Sequence, residues 1–337
     1  MKTTHATGGG RLASISARDV KPLLSYAALG DSYAAGGGAG TPEFGTCGRF
    51  SDAYPVQIAN DTGLDISSHD FRNLACGGTT TNSVLYRQVP WMGNPDLVTI
   101  TVGGNEISFF AILNACIYHW LPANPCDEEV AGARALIESS SLLDHYSELI
   151  SATLRHLPPH GLLLITGYAQ FFNDQTSLCD HITFSRTRPL DRLTKAKRRA
   201  LNELVVMLNQ VIRSVAETRG ATYVDIDRVF QGHRFCEPGI SEPDLERQET
   251  WFFNLPRTEF GSQPATYDAK QDQQERLAIQ TLRAVPNSIG VASFPDLDSA
   301  RTFHPTGLGH TAMAQSIVQK VLGHRLTSRW VGRVLCD

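Results

Sequence analysis

No apolar run in the chain approaches the roughly 18 residues that a membrane-spanning helix needs. Its opening, MKTTHATGGGRLASISARDV, also lacks the hydrophobic centre of a secretory signal. A membrane span is not expected. Residues 1–21 read as a polar extension, left by a removed leader or added ahead of the gene product, before a single domain over 22–337. An excess of positive charge is missing too: 30 Lys and Arg stand against 34 Asp and Glu, with a formal net charge of -4 and mixed signs along the chain. That balance argues against a nucleic-acid partner. The one basic cluster, KAKRR at 195–199, opens a helical pattern and reads as a solvated helix face. The seven cysteines form no CxxC and no HExxH accompanies them, so neither a metal site nor an organic cofactor is expected.

What is present is ample apolar material for a core, 42% of residues. Four short runs read as buried strands: LLSYAAL (23–29), DLVTITV (96–102), GLLLITG (161–167) and ATYVDI (221–226). Long helical patterns separate them. The clearest lies between about Leu190 and Val215, where Leu193, Leu201, Leu204, Leu208, Val211, Ile212 and Val215 recur at helical spacing. A second runs from Glu128 to His156, and a third is GHTAMAQSIVQKVLGH near the C-terminus. Strands alternating with such helices predict a three-layer α/β/α domain, a doubly wound, mostly parallel sheet of the flavodoxin-like kind. Residues 237–300 break the pattern with Pro, Gly and polar residues and read as a long loop insertion. WFFNLP within it is apolar enough to fold back on the body.

In an open α/β sheet the functional crevice lies beyond the carboxyl ends of the strands. Three candidate motifs end strands there. LGDSYAAGGGAG (29–40) follows the first strand, and its glycines match neither GxGxxG nor GxxxxGK[ST], so a phosphate cradle is disfavoured against Ser32 as a nucleophile. A serine hydroxyl needs a base and oxyanion donors, and alone this serine is equally readable as a helix cap. In NLACGGTTTNSV, Gly78 can bring a backbone N–H close to a ligand. Asn105 of VTITVGGNEISFF ends another strand, either as a neutral donor into the crevice or as a turn residue. His304 of RTFHPTGLGH precedes a proline and a helix.

Together GDSY, ACGGTT, GGNE and FHPTGLGH resemble, in order, the four blocks of the SGNH (GDSL) hydrolases. The chain is most similar to the secreted lipases, esterases and phospholipases of actinomycetes and their fungal relatives. The resemblance implies a serine carboxylic-ester hydrolase of lipase or esterase type that works through an acyl-enzyme. Ser32 would be the nucleophile, His304 the base, and Ser32, Gly78 and Asn105 the oxyanion donors. It also implies three disulfides, Cys47–Cys76, Cys116–Cys126 and Cys179–Cys236, with Cys336 left over. The family's acid, three residues before the histidine, is absent: Arg301 stands there. The backbone carbonyl of Arg301 is then expected to hold His304 Nδ1, with Asp298 or Asp296 as the competing acid. Glu106 replaces the usual Asp after the block's asparagine, where a loop-supporting role is expected.

A small-molecule or lipid ester is the expected substrate, and a monomer the expected state. An acyltransferase using the same serine, and a lipid- or carbohydrate-binding protein with impaired chemistry, are the alternatives. Disulfides and the NDT sequon at Asn60, a candidate glycosylation site, point to secretion. Scattered free thiols would point to the cytoplasm instead.

Overall fold

The computed structural model describes residues 25–64, 66–243, 249–254 and 301–334. Five strands form one parallel sheet: β1 (Tyr26–Gly30), β2 (Phe71–Asn73), β3 (Leu97–Thr101), β4 (Leu162–Thr166) and β5 (Thr222–Val224), in the order β2-β1-β3-β4-β5. This is the doubly wound order whose direction reverses between β1 and β3. Those two strands pair along their whole length, from Tyr26 opposite Leu97 to Gly30 opposite Thr101. Every residue of both is buried. Burial on both faces is why they read as unbroken apolar runs rather than alternating ones. The edge strand β2, FRN, carries no such run and was not legible.

Eight α-helices surround the sheet among the described residues: α1 (Ser32–Ala35), α2 (Tyr54–Ala59), α3 (Thr81–Arg87), α4 (Phe109–Leu113), α5 (Cys126–Ile137), α6 (Ser140–Leu154), α7 (Lys195–Thr218) and α8 (Gly307–Val334). Helix α2 packs on α8, while α3, α6, α7 and α5 form a continuous second layer. The expected helix over 128–156 is two helices. At their junction the Ser139 side chain accepts the Leu142 N–H and caps α6, because a serine oxygen there replaces the carbonyl partner that an uninterrupted helix would supply. Residues 190–194, expected to be helical, precede α7. Thr194 caps it by accepting the Lys197 N–H, and Leu193 is buried ahead of the cap.

Disulfides join Cys47 to Cys76, Cys116 to Cys126 and Cys179 to Cys236. The segment at 251–254 packs on the body: Phe252 is buried and bridges to Pro305, and Trp251 stacks on His233. The extension 1–21, Asp296, Asp298, Cys336 and most of the expected loop insertion lie outside the described residues. Asn60 is exposed at the C-terminal end of α2. No described helix is long and apolar enough to cross a membrane.

Candidate active site

The first strand ends in a turn that only glycine can make. Gly30 has φ +135°, and a Cβ there would lie 2.1 Å from the Thr101 carbonyl oxygen. The buried Gln88 reads both sides of this residue. Its Oε1 accepts the Gly30 N–H at 2.7 Å and its Nε2 donates to the Gly30 carbonyl at 2.9 Å. Beyond the turn Asp31 caps α1 by accepting the Tyr33 N–H at 2.9 Å. The chain therefore swings from strand to helix within two residues and leaves Ser32 part-exposed on the first turn of α1.

The second Asp31 oxygen accepts the Tyr168 hydroxyl at 2.5 Å, and that hydroxyl oxygen accepts the Gly104 N–H at 3.0 Å. Tyr168 thus joins the serine turn to the residue preceding Asn105. Burial raises the Asp31 carboxyl to about 7, against the opposing hydrogen bonds from Tyr168 and Tyr33. Neither Tyr168 nor Gln88 was singled out from the sequence. Tyr168 directly follows the third apolar run's closing glycine, the one signal that could have found it, whereas nothing local marks Gln88.

Ser32 Oγ lies 2.7 Å from His304 Nε2 across 272 residues of sequence. On the other side of the ring Nδ1 lies 3.3 Å from the Thr302 carbonyl. A carbonyl can only accept, so Nδ1 is the donor there and Nε2 is left to accept from the serine. The Arg301 carbonyl, expected at Nδ1, accepts the His304 backbone N–H at 3.0 Å and acts on the ring alongside the Thr302 carbonyl. Phe303 adopts φ +63°, a left-handed conformation costing roughly 1–2 kcal/mol for a side chain of this type, and the reversal turns the Thr302 carbonyl toward the ring. Burial lowers His304 to about 4, while the Thr302 and Arg301 carbonyls favour the charged ring. The imidazole is therefore neutral at neutral pH.

The conspicuous glycines after Ser32 make room for this histidine loop. A Cβ on Gly37 would lie 3.0 Å from His304 Cδ2, and one on Gly38, at φ +90°, would lie 2.6 Å from Arg301 Cβ.

The second and third motifs meet the serine from the neighbouring loops. The Cys76 N–H donates to the Gly30 carbonyl at 3.0 Å, and the Gly77 N–H to the Cys47 carbonyl at 2.8 Å. A Cβ on Gly77 would sit 3.9 Å from that of Ser32, so this segment runs alongside the hydroxyl. Gly78 follows at φ +74°. Among the described residues, nothing accepts a hydrogen bond from its N–H or from that of Ser32. The Asn105 amide donates to the Thr79 carbonyl at 2.9 Å, which ties the two loops together. Glu106 accepts the Thr81 N–H at the start of α3, so the longer acid reaches and caps a helix, and burial raises its carboxyl. Among the described residues no group of three or more His, Cys, Asp or Glu could hold a metal ion.

A hydroxyl hydrogen-bonded to a neutral imidazole, with open backbone N–H groups beside it at the β1/β3 switch point, defines the class as a serine ester hydrolase on a flavodoxin-like sheet. The chain belongs to the GDSL-like lipase/acylhydrolase family, which it matches over residues 28–245. It is 30% identical over 233 residues to a lipase of Streptomyces rimosus, covering 67% of this chain and 78% of that one. It is 32% identical over 237 residues to Lipase 2 of Streptomyces coelicolor, covering 65% and 75%. Among solved structures, phospholipase A1 from Streptomyces albidoflavus NA297 shares the fold with a TM-score of 0.63 and 24% identity, over 88% of this chain and 99% of that one. The family match ends before His304, so the histidine's place beside the serine comes from the tertiary structure.

Proposed function

We propose that the protein hydrolyses lipidic carboxylic esters through an acyl-enzyme on Ser32. The observation that carries this reading is the 2.7 Å contact between Ser32 Oγ and His304 Nε2. Ser32 Oγ attacks the ester carbonyl carbon as its proton passes to Nε2. The negative charge collects on the former carbonyl oxygen, for which the Ser32 and Gly78 N–H groups and the Asn105 amide are the candidate donors. Collapse expels the alcohol, which takes the proton from His304. Water then repeats the sequence on the acyl-enzyme and releases the acid.

No carboxylate among the described residues contacts the ring, so the imidazolium formed at each step rests on the carbonyls of Thr302 and Arg301. Loss of a supporting acid need not abolish such chemistry, because the base and the oxyanion donors remain. Half-buried aromatics at Phe109, Phe110 and Trp120, just beyond Asn105 in the chain, support an acyl group along that flank. The names of the relatives, lipase and phospholipase A1, agree with it. Secretion fits the same reading: three disulfides brace the fold, and the S. rimosus lipase, whose structure shares it at a TM-score of 0.62, is described as extracellular.

Ser32→Ala should abolish turnover of p-nitrophenyl butyrate and labelling by a fluorophosphonate while leaving the circular dichroism spectrum unchanged. Retained turnover would sink the assignment.

A further inference from the structure

The reacting pair proposed above is joined by a second, shorter route through the fold. Tyr33 is the residue after Ser32, and Phe303 is the residue before His304. The Tyr33 hydroxyl donates to the Phe303 carbonyl at 2.8 Å, and both residues are buried. The Tyr33 ring also lies 5.4 Å from the His304 ring, and it packs edge-on against Tyr168 at 5.0 Å. Burial raises the Tyr33 hydroxyl well above its usual range, so it stays protonated and can act only as a neutral donor to this carbonyl.

Phe303 needs such a donor. It holds a positive φ that its side chain does not favour, and three contacts keep it there. Its ring sits among Phe171, Phe172 and Phe235. Its N–H donates to the Phe253 carbonyl at 2.9 Å, and its own carbonyl takes the Tyr33 hydroxyl. The carbonyl accepting from Tyr33 belongs to the peptide that carries the His304 N–H, so its orientation sets where the imidazole points. In a site with a carboxylate on Nδ1, a strong charged hydrogen bond would fix the ring. Here the Nδ1 contact is a neutral carbonyl at 3.3 Å, near the long end of a hydrogen bond.

We propose that Tyr33 is a positioning residue which, through its 2.8 Å hydrogen bond to the Phe303 carbonyl, takes over the orienting part of the missing acid and holds His304 Nε2 on Ser32 Oγ. The hydroxyl bonds a backbone carbonyl and not Ser32 Oγ or the His304 ring nitrogens. It acts through the backbone, and it ties nucleophile and base into one unit whose spacing does not depend on the ends of the sheet.

The proposal rests on the Ser32–His304 reading, and the experiment separates the two. Tyr33→Phe keeps the ring and removes only the hydroxyl. Its kcat and KM for p-nitrophenyl butyrate are measured per active site, with folded sites counted by fluorophosphonate titration to completion. Turnover should fall at least tenfold per titrated site with KM within threefold of wild type, and the fluorophosphonate should label more slowly by a similar factor. A kcat per titrated site within twofold of wild type overturns the proposal, as does a loss accounted for by fewer titratable sites, since the hydroxyl would then serve folding alone. An equal loss arising wholly in KM overturns it as well. If Ser32→Ala is inactive while Tyr33→Phe is normal, only the positioning role falls; if Ser32→Ala retains turnover, the nucleophile assignment falls first.

Discussion

Asp31→Asn removes a carboxyl whose ionisation the fold opposes. Asp31 is 2% exposed, and burial lifts it to about 7. In the unfolded chain an aspartate titrates near ~3.9. Between those two values the folded protein holds a proton that the unfolded chain has released, so stability falls as pH rises from about 4 to about 7. At ~1.36 kcal/mol per pH unit the whole window is worth about 4 kcal/mol, and roughly 2.5 kcal/mol of it lies between pH 5 and pH 8. The asparagine variant has nothing to ionise and approximates the protonated carboxyl in shape.

The comparison is therefore a double difference. Urea unfolding of both proteins, followed by tryptophan fluorescence at pH 5 and pH 8, should show the wild type losing roughly 2–3 kcal/mol relative to Asp31→Asn on going to the higher pH. His304 and His310, lowered to about 4 and about 3 by burial, shift stability in the opposite sense as pH falls below the ordinary histidine range. They are common to both proteins and cancel. Parallel profiles, or a wild type that gains on the variant as pH rises, would refute the reasoning. Either result would mean that the Tyr33 and Tyr168 hydrogen bonds outweigh desolvation and hold an ionised carboxylate.

Two further outcomes follow from the same geometry. With His304 held near 4, kcat/KM should stay level from pH 7 to pH 5 and fall only as pH drops toward 4; an acid limb near pH 6.5 would show that water reaches the ring. Gly37→Ala places a methyl 3.0 Å from His304 Cδ2 without a positive φ to strain, so kcat should fall several-fold by displacement of the imidazole with the melting temperature nearly unchanged; unchanged kcat would show that the ring yields without leaving the serine.

The serine, glycine, asparagine and histidine motifs were legible as an ordered set, through their resemblance to the four SGNH blocks, whereas the serine or the asparagine alone reads equally well as a cap or turn residue. FHPTGLGH holds two histidines, His304 and His310. The structure separates them by partner: His304 Nε2 meets Ser32, whereas His310 is fully buried and its Nδ1 lies 3.3 Å from the Tyr54 N–H as acceptor. Gln88 and Tyr168 lay beyond reach. Their partners, the Gly30 peptide, Asp31 and Gly104, stand 58, 137 and 64 residues away, and no local pattern encodes such a pairing. The same holds for the Thr302 carbonyl at Nδ1, which depends on a left-handed Phe303 that a phenylalanine gives no reason to expect.

By itself the sequence determined the layered α/β architecture, because strands buried on both faces must be apolar throughout and the helices between them must show one apolar face. It also determined which residue types could do chemistry at the strand ends. The tertiary structure alone decided how those residues meet. Hydrogen bonds across the sheet and a tyrosine reaching the residue before the histidine are contacts between distant segments, and their geometry exists only once the strands have registered and the core has closed around them.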